Sequence, residues 1–155
     1  MNNFYKKGIS IIELLVVFAG ISILVAIIMP QFLKLKENQV LKAALEDTLS
    51  SIDKARSNTL ASVNSSEYGV HFQSDQVIIF RGTVFSALDV NNESINIISP
   101  ANISNVTLNG VSGVSGDIYF SRIYGVPNII GTITISTNSL SKTITISKTG
   151  NASSN

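Results

Sequence analysis

The chain contains no cysteine and no tryptophan, a single histidine, three prolines, and charged side chains at only 14% of its positions. Without cysteine there is no disulfide framework and no thiolate metal site. The lone histidine, His71, lies in a strand-like run with no Cys, Asp or Glu at ligand spacing, and reads as structural rather than catalytic or metal-binding. The scattered acids form no carboxylate pair, and no serine sits in a nucleophile elbow. No enzymatic activity and no cofactor are therefore expected. Gly110-Val111-Ser112-Gly113-Val114-Ser115-Gly116 lacks the Gly-Lys-Ser/Thr ending of a phosphate-binding loop and reads as a flexible loop. The formal charge of +1 gives no basis for a polyanionic partner. Five Asn-x-Ser/Thr triplets, beginning at Asn64, Asn92, Asn102, Asn105 and Asn151, follow from a composition rich in these residues and are not evidence of glycosylation.

What the chain does have is a continuous apolar run from Ile9 to Met29 that carries one charge, Glu13. At about 1.5 Å per residue, a helix over this run covers a hydrocarbon core of roughly 30 Å. It is longer than a secretory signal's apolar region, and Met29-Pro30-Gln31-Phe32-Leu33 offers no small-residue cleavage site. Lys6 and Lys7 precede it, so the positive-inside rule places the N-terminus in the cytoplasm and the C-terminal bulk outside. Glu13 is the anomaly, because a carboxylate near a bilayer core costs about 2.5 to 3.5 kcal/mol on insertion scales.

Gly8, Glu13 and Pro30 together resemble the N-terminus of the type IV pilin superfamily. There, a short basic leader ends in Gly, a prepilin peptidase cuts after it, Glu stands fifth in the mature chain, and many members carry a helix-bending Pro at position 22. Counting from Ile9, Glu13 is fifth and Pro30 is twenty-second. The resemblance implies residues 1–8 as leader, cleavage between Gly8 and Ile9, N-methylation of Ile9, and assembly through Glu13, which would pair with the free amine of Ile9 on a neighbouring subunit. It also implies a single-pass protein of the bacterial inner membrane that later enters a pilus or pseudopilus. The implied partners are the prepilin peptidase, the inner-membrane assembly platform, membrane lipid and other pilins or pseudopilins. Removal of Lys6 and Lys7 with the leader would leave nine basic against ten acidic side chains.

Beyond Pro30, a second helical pattern runs over 31–63. Leu41, Leu45, Leu49, Ile52, Ala55, Leu60 and Val63 recur at helical spacing, with charged residues largely between them. Asn64-Ser65-Ser66 supplies side chains that compete for backbone hydrogen bonds and predicts its end near Val63. One helix from about Ile9 to Val63 results, of order 80 Å at 1.5 Å per residue, with a bend or local melting expected at Gly20 and Pro30.

From residue 64 to 155 the period changes to two. Strands are predicted at 68–72, 76–80, 83–88, 95–98, 103–108, 117–120, 132–135 and 143–146. The last two alternate Thr with Ile, which predicts a hairpin with isoleucines inward and threonines outward. The expected fold class is α+β: a long N-terminal helix, membrane-spanning in its first half and amphipathic in its second, packed on an antiparallel sheet or sandwich.

Two further stretches narrow the resemblance. Ile52 to Leu60, with Ala55-Arg56-Ser57, looks like the helix end of the GspH/FimT minor pseudopilins, and Lys142 to Asn151 is similar to that family's closing strand and Gly turn. Members are low-abundance subunits of a type II secretion pseudopilus or type IV pilus. Some that take up DNA carry a Gly-Arg-x-Arg tail. The matching positions here are Gly150, Asn151, Ala152 and Ser153, so neither arginine is present, which argues against a DNA partner. A different class of function, a membrane-anchored extracytoplasmic β domain that binds a ligand and never polymerises, leaves Gly8 uncut.

Overall fold

The computed structural model describes residues 8–155, so Lys6 and Lys7 lie outside the described residues. Two compact units divide the chain, one ending at Lys36 and the other running from Glu37 to Asn155. A single helix, α1 (Ile11–Leu60), contributes to both.

In the first unit, α1 passes through Gly20 and Pro30 without melting. Proline has no N–H to give the Ala26 carbonyl. One missing bond does not end the helix, because propagation is favourable once the turns on either side exist.

In the second unit, α1 buries Leu41, Ala44, Thr48, Ser51, Ile52, Ala55 and Thr59, a stripe at intervals of mainly three and four residues. The stripe predicted from large apolar residues is thereby rotated. Leu45 and Leu49 are only partly buried, while Leu60 and Val63 are exposed. Much of this stripe is small side chains, and their hydroxyls need no outside partner. Thr48 Oγ1 donates to the Ala44 carbonyl at 2.7 Å, Ser51 Oγ to the Asp47 carbonyl at 2.7 Å, and Thr59 Oγ1 to the Ala55 carbonyl at 2.9 Å, so burial leaves no polar group unmet. The helix ends at Leu60, short of Val63, and a 3-10 turn follows at Val63–Ser65. Ser62 and Asn64, both at positive φ, break the helical path there.

Among the described residues, nine strands form two antiparallel sheets: β1 (Tyr68–Phe72), β2 (Gln76–Arg81), β3 (Glu93–Asn96), β4 (Asn102–Leu108), β5 (Val111–Gly113), β6 (Gly116–Phe120), β7 (Gly131–Ser136), β8 (Ser141–Ile146) and β9 (Ala152–Ser154). The orders are β3-β2-β1-β6 and β5-β4-β7-β8-β9. Val70, Phe72, Val77, Ile79, Ile118 and Phe120 of the first sheet join Ile103, Val106, Ile133, Ile135, Ile144 and Ile146 of the second, with the helix stripe, in one apolar core. The fold is thus α+β, as expected. β7 and β8 pair with Ile133 opposite Ile144 and Thr134 opposite Thr143, and these isoleucines are fully buried.

Two expectations are corrected, and one strand lies beyond those expected. Residues 83–88 are not a strand: Gly82, at φ +105, turns the chain, and Phe85 folds back onto the sheet. The expected flexible loop at 110–116 contains β5, because Asn109 and Gly110, both at positive φ, make a two-residue hairpin turn that pairs Leu108 with Val111. β9 was not expected from its composition; Gly150, at φ +82, reverses the chain so that Ala152 pairs with Ile146.

A fragment spanning Glu37–Asn155 should give a circular dichroism spectrum in which strand exceeds helix and should unfold cooperatively. A mostly helical or unfolded spectrum would contradict the assignment of residues 37–60 to the β domain's core.

Candidate functional site

The segment from Gly8 to Met29 is the first place where residues exceed what folding requires. Gly8, Ile9 and Ser10 precede the helix and are exposed. The Leu14 N–H donates to the Ser10 carbonyl at 3.1 Å, beginning the helical ladder. Glu13 lies in the first turn, where the positive end of the helix dipole favours a carboxylate. Among the described residues, and apart from the chain neighbours and the helix's own backbone, no heavy atom lies within 4 Å of the place a Cβ on Gly8 or on Gly20 would occupy. Nothing in the chain's own packing therefore calls for glycine at either position, and in a helix interior Gly20 costs about 0.5 to 1 kcal/mol relative to alanine.

The apolar side chains of this segment are uncovered. Ile11, Phe18, Ile23 and Ile27 are 58–79% exposed, and the patch they belong to far exceeds what water-facing surfaces of soluble proteins carry. Within it, Ser22 Oγ donates to the Phe18 carbonyl at 2.8 Å, so its hydroxyl needs no water. This helix is long and apolar enough to cross a membrane.

A second cluster surrounds His71. β1 places it opposite Asp117 of β6, and Nδ1 hydrogen-bonds the Asp117 carboxylate. Phe85 stacks on the imidazole with ring centroids 3.9 Å apart and planes 6° from parallel. Phe80 meets Phe85 edge-on at 5.6 Å, and its ring lies where a side chain on Gly69 would be. His71 Nε2 is buried and has no hydrogen-bond partner among the described residues. No group of three His, Cys, Asp or Glu side chains able to hold a metal occurs among the described residues, and no hydroxyl bonds Nε2, so the arrangement orients an imidazole without supplying a nucleophile. Asp117 stands 46 residues away in sequence, and only strand pairing reveals it.

Arg56 forms a third constellation. Its Nε donates to the Gly125 carbonyl, Nη2 to the Thr149 carbonyl and Nη1 to Asn151 Oδ1, each at 3.0 Å. The end of α1 is thereby fastened to the turn before β7 and to the turn between β8 and β9. The Ala55-Arg56-Ser57 segment and the Thr149-Gly150-Asn151 turn, read separately from the sequence, are in direct contact. The described tail is a strand, with no cation at Asn151, Ala152 or Ser153.

Comparison of the chain with models of known protein families, with curated proteins and with solved structures finds no match.

Replacing Asp117 with Ala should lower stability by about 1 to 2 kcal/mol, because the buried imidazole then lacks partners at both nitrogens. His71→Phe keeps the ring against Phe85, removes the unmet nitrogen and should be closer to neutral. Denaturant unfolding of the two variants checks the order.

Proposed function

We propose that this protein is a minor pilin or pseudopilin subunit of the GspH/FimT type: inserted in the inner membrane, cut after Gly8, methylated at Ile9, and packed helix to helix into a pilus or type II secretion pseudopilus. The observation that carries the reading is the placement of Glu13 alone in an exposed apolar helix, five residues into a chain that would begin at Ile9. Its physical logic is charge compensation. Cleavage frees an amine at Ile9, and a neighbour's Glu13 neutralises it where neither charge has water. Gly8 and Gly20 fit the same logic, since neither is required by the isolated chain's packing. A glycine at the cut suits a peptidase pocket, and one in the helix suits close approach of another helix. The role assigned is structural, with the prepilin peptidase, the assembly platform, lipid and other pilins as partners. The contact between Arg56 and the Thr149-Asn151 turn supports the narrower family assignment.

Replacing Gly8 with a bulky residue should leave insertion intact and block maturation, leaving a membrane band that retains the first eight residues. N-terminal sequencing that finds Ile9 first in such a variant would contradict the assigned site. In the unaltered protein, a mature chain starting anywhere other than Ile9 would favour a non-polymerising anchored domain.

Glu13→Gln and Glu13→Val should insert as well as the parent or better, because they remove a charge from a span that is already apolar enough. Their incorporation into sheared filaments should fall sharply, since breaking one half of a buried ion pair costs about 3 to 5 kcal/mol. Undiminished incorporation would remove the reading's main physical support.

A further inference from the structure

The loop between β2 and β3 displays apolar side chains to water without being loose. The Asp89 N–H donates to the Ser86 carbonyl and the Asn92 N–H to the Asp89 carbonyl, each at 3.2 Å. Asn92 Nδ2 donates to the Ser86 carbonyl at 2.7 Å, and Phe85 is pinned between His71 and Phe80. On this built loop, Leu88 is 94% and Val90 96% exposed. Between them, Asp89 Oδ1 accepts from the Asn91 N–H at 2.9 Å and from Asn91 Nδ2 at 2.7 Å. Those two bonds, the backbone one foremost, hold its carboxyl below the usual range. Its other oxygen accepts no bond among the described residues. The loop tip is thus an anion flanked by two uncovered apolar side chains.

Elsewhere on the same unit is an apolar groove with a cation on its lining. Val126, Pro127, Ile129 and Ile130 line a groove of about 480 Å³ whose one charged lining residue is Lys148. Past Asn109 and Ile130 it continues into a second hollow of about 400 Å³ over Thr132 and Thr145, which no charged side chain lines. Lys148 makes no ion pair among the described residues.

We infer that the Leu88-Asp89-Val90 tip of one subunit seats in the Val126–Ile130 groove of a second copy of this chain, with Asp89 paired to Lys148. The match of apolar-anion-apolar to an apolar groove with a single cation selects the second copy as occupant. Because loop and groove are different surfaces, the contact is heterologous and can repeat without closing, as a filament requires. It rests on the assembly reading above. One loop in one groove covers less area than an independent dimer needs, so it operates only between copies already held side by side by their helices, where the effective concentration is high.

The absence of native cysteine gives a direct test in the full-length membrane-borne chain. Two differently tagged copies, one Leu88→Cys and one Ile130→Cys, are co-expressed and oxidised, with Leu88→Cys plus Val111→Cys as the control pair; Val111 is 73% exposed and lies outside the groove. The expected result is a mixed-tag dimer for the first pair only. Adding Asp89→Lys should cut the yield about tenfold, and adding Lys148→Asp on the partner copy should restore it. Equal yields from both pairs, no mixed dimer, or a Leu88→Cys adduct with a different polypeptide would overturn the inference. The Glu13-dependent filament fraction, measured in the same cells, separates the causes. If it persists without the cross-link, this docking alone is wrong; if it is absent too, the assembly reading falls with it.

Discussion

Packing of the second half of α1 against the strands is the constraint on which the rest of the β domain depends. Ala44, Thr48, Ser51, Ala55 and Thr59 make most of the buried helix face from small side chains, with Ile52 and Leu41 as its large apolar members. Three of the five are hydroxyl residues, tolerable in a core only because each donates to a carbonyl one turn back in its own helix. Thr59 does more: its Oγ1 also accepts the Tyr68 N–H at 2.9 Å, so the last buried position of the helix sets where the first strand begins.

From that seat the helix end organises the distant turns. Arg56 spends three donors on the Gly125, Thr149 and Asn151 acceptors, and Arg122 Nη1 reaches the Ser65 carbonyl at 2.9 Å. These bonds hold a turn in which Ile123 adopts φ +77, a conformation that a β-branched residue rarely takes. The groove proposed as the receiving half of a subunit contact begins just beyond it, at Val126. Its shape thus follows from how α1 is fastened, which ties helix packing and domain docking to one set of side chains.

The two halves of α1 obey opposite solvents. Residues 41–59 show one buried stripe and a polar remainder, as a helix on a sheet must. Apart from Glu13 and Ser22, residues 11–29 are apolar, which suits lipid or a bundle of like helices, and Glu13 has no ion-pair partner among the described residues. In the proposed filament the missing partner is supplied by a second molecule, so the residue that looks most costly in the monomer is the one that drives recruitment.

Residue type and period by themselves determined the helix long and apolar enough to span a membrane, the switch from helix to strand near residue 64, and the β7–β8 hairpin, because hydrophobic length and alternation are local properties that any neighbour must respect. They also singled out Gly8, Glu13 and Pro30, whose meaning lies in their spacing along the sequence. The Asn109-Gly110 turn was equally legible, being a two-residue hairpin signal, yet the glycine-rich context masked it. What only the tertiary structure decided are relations between segments far apart in the chain. The buried face of α1 rotated toward small residues because the strands it packs on, not the local run of large apolar residues, decide which side is covered. Residues 83–88 lost their strand because Phe85 gains more by covering His71. Asp117 met His71, and Arg56 met the C-terminal turn, through strand pairing and packing that no local pattern encodes.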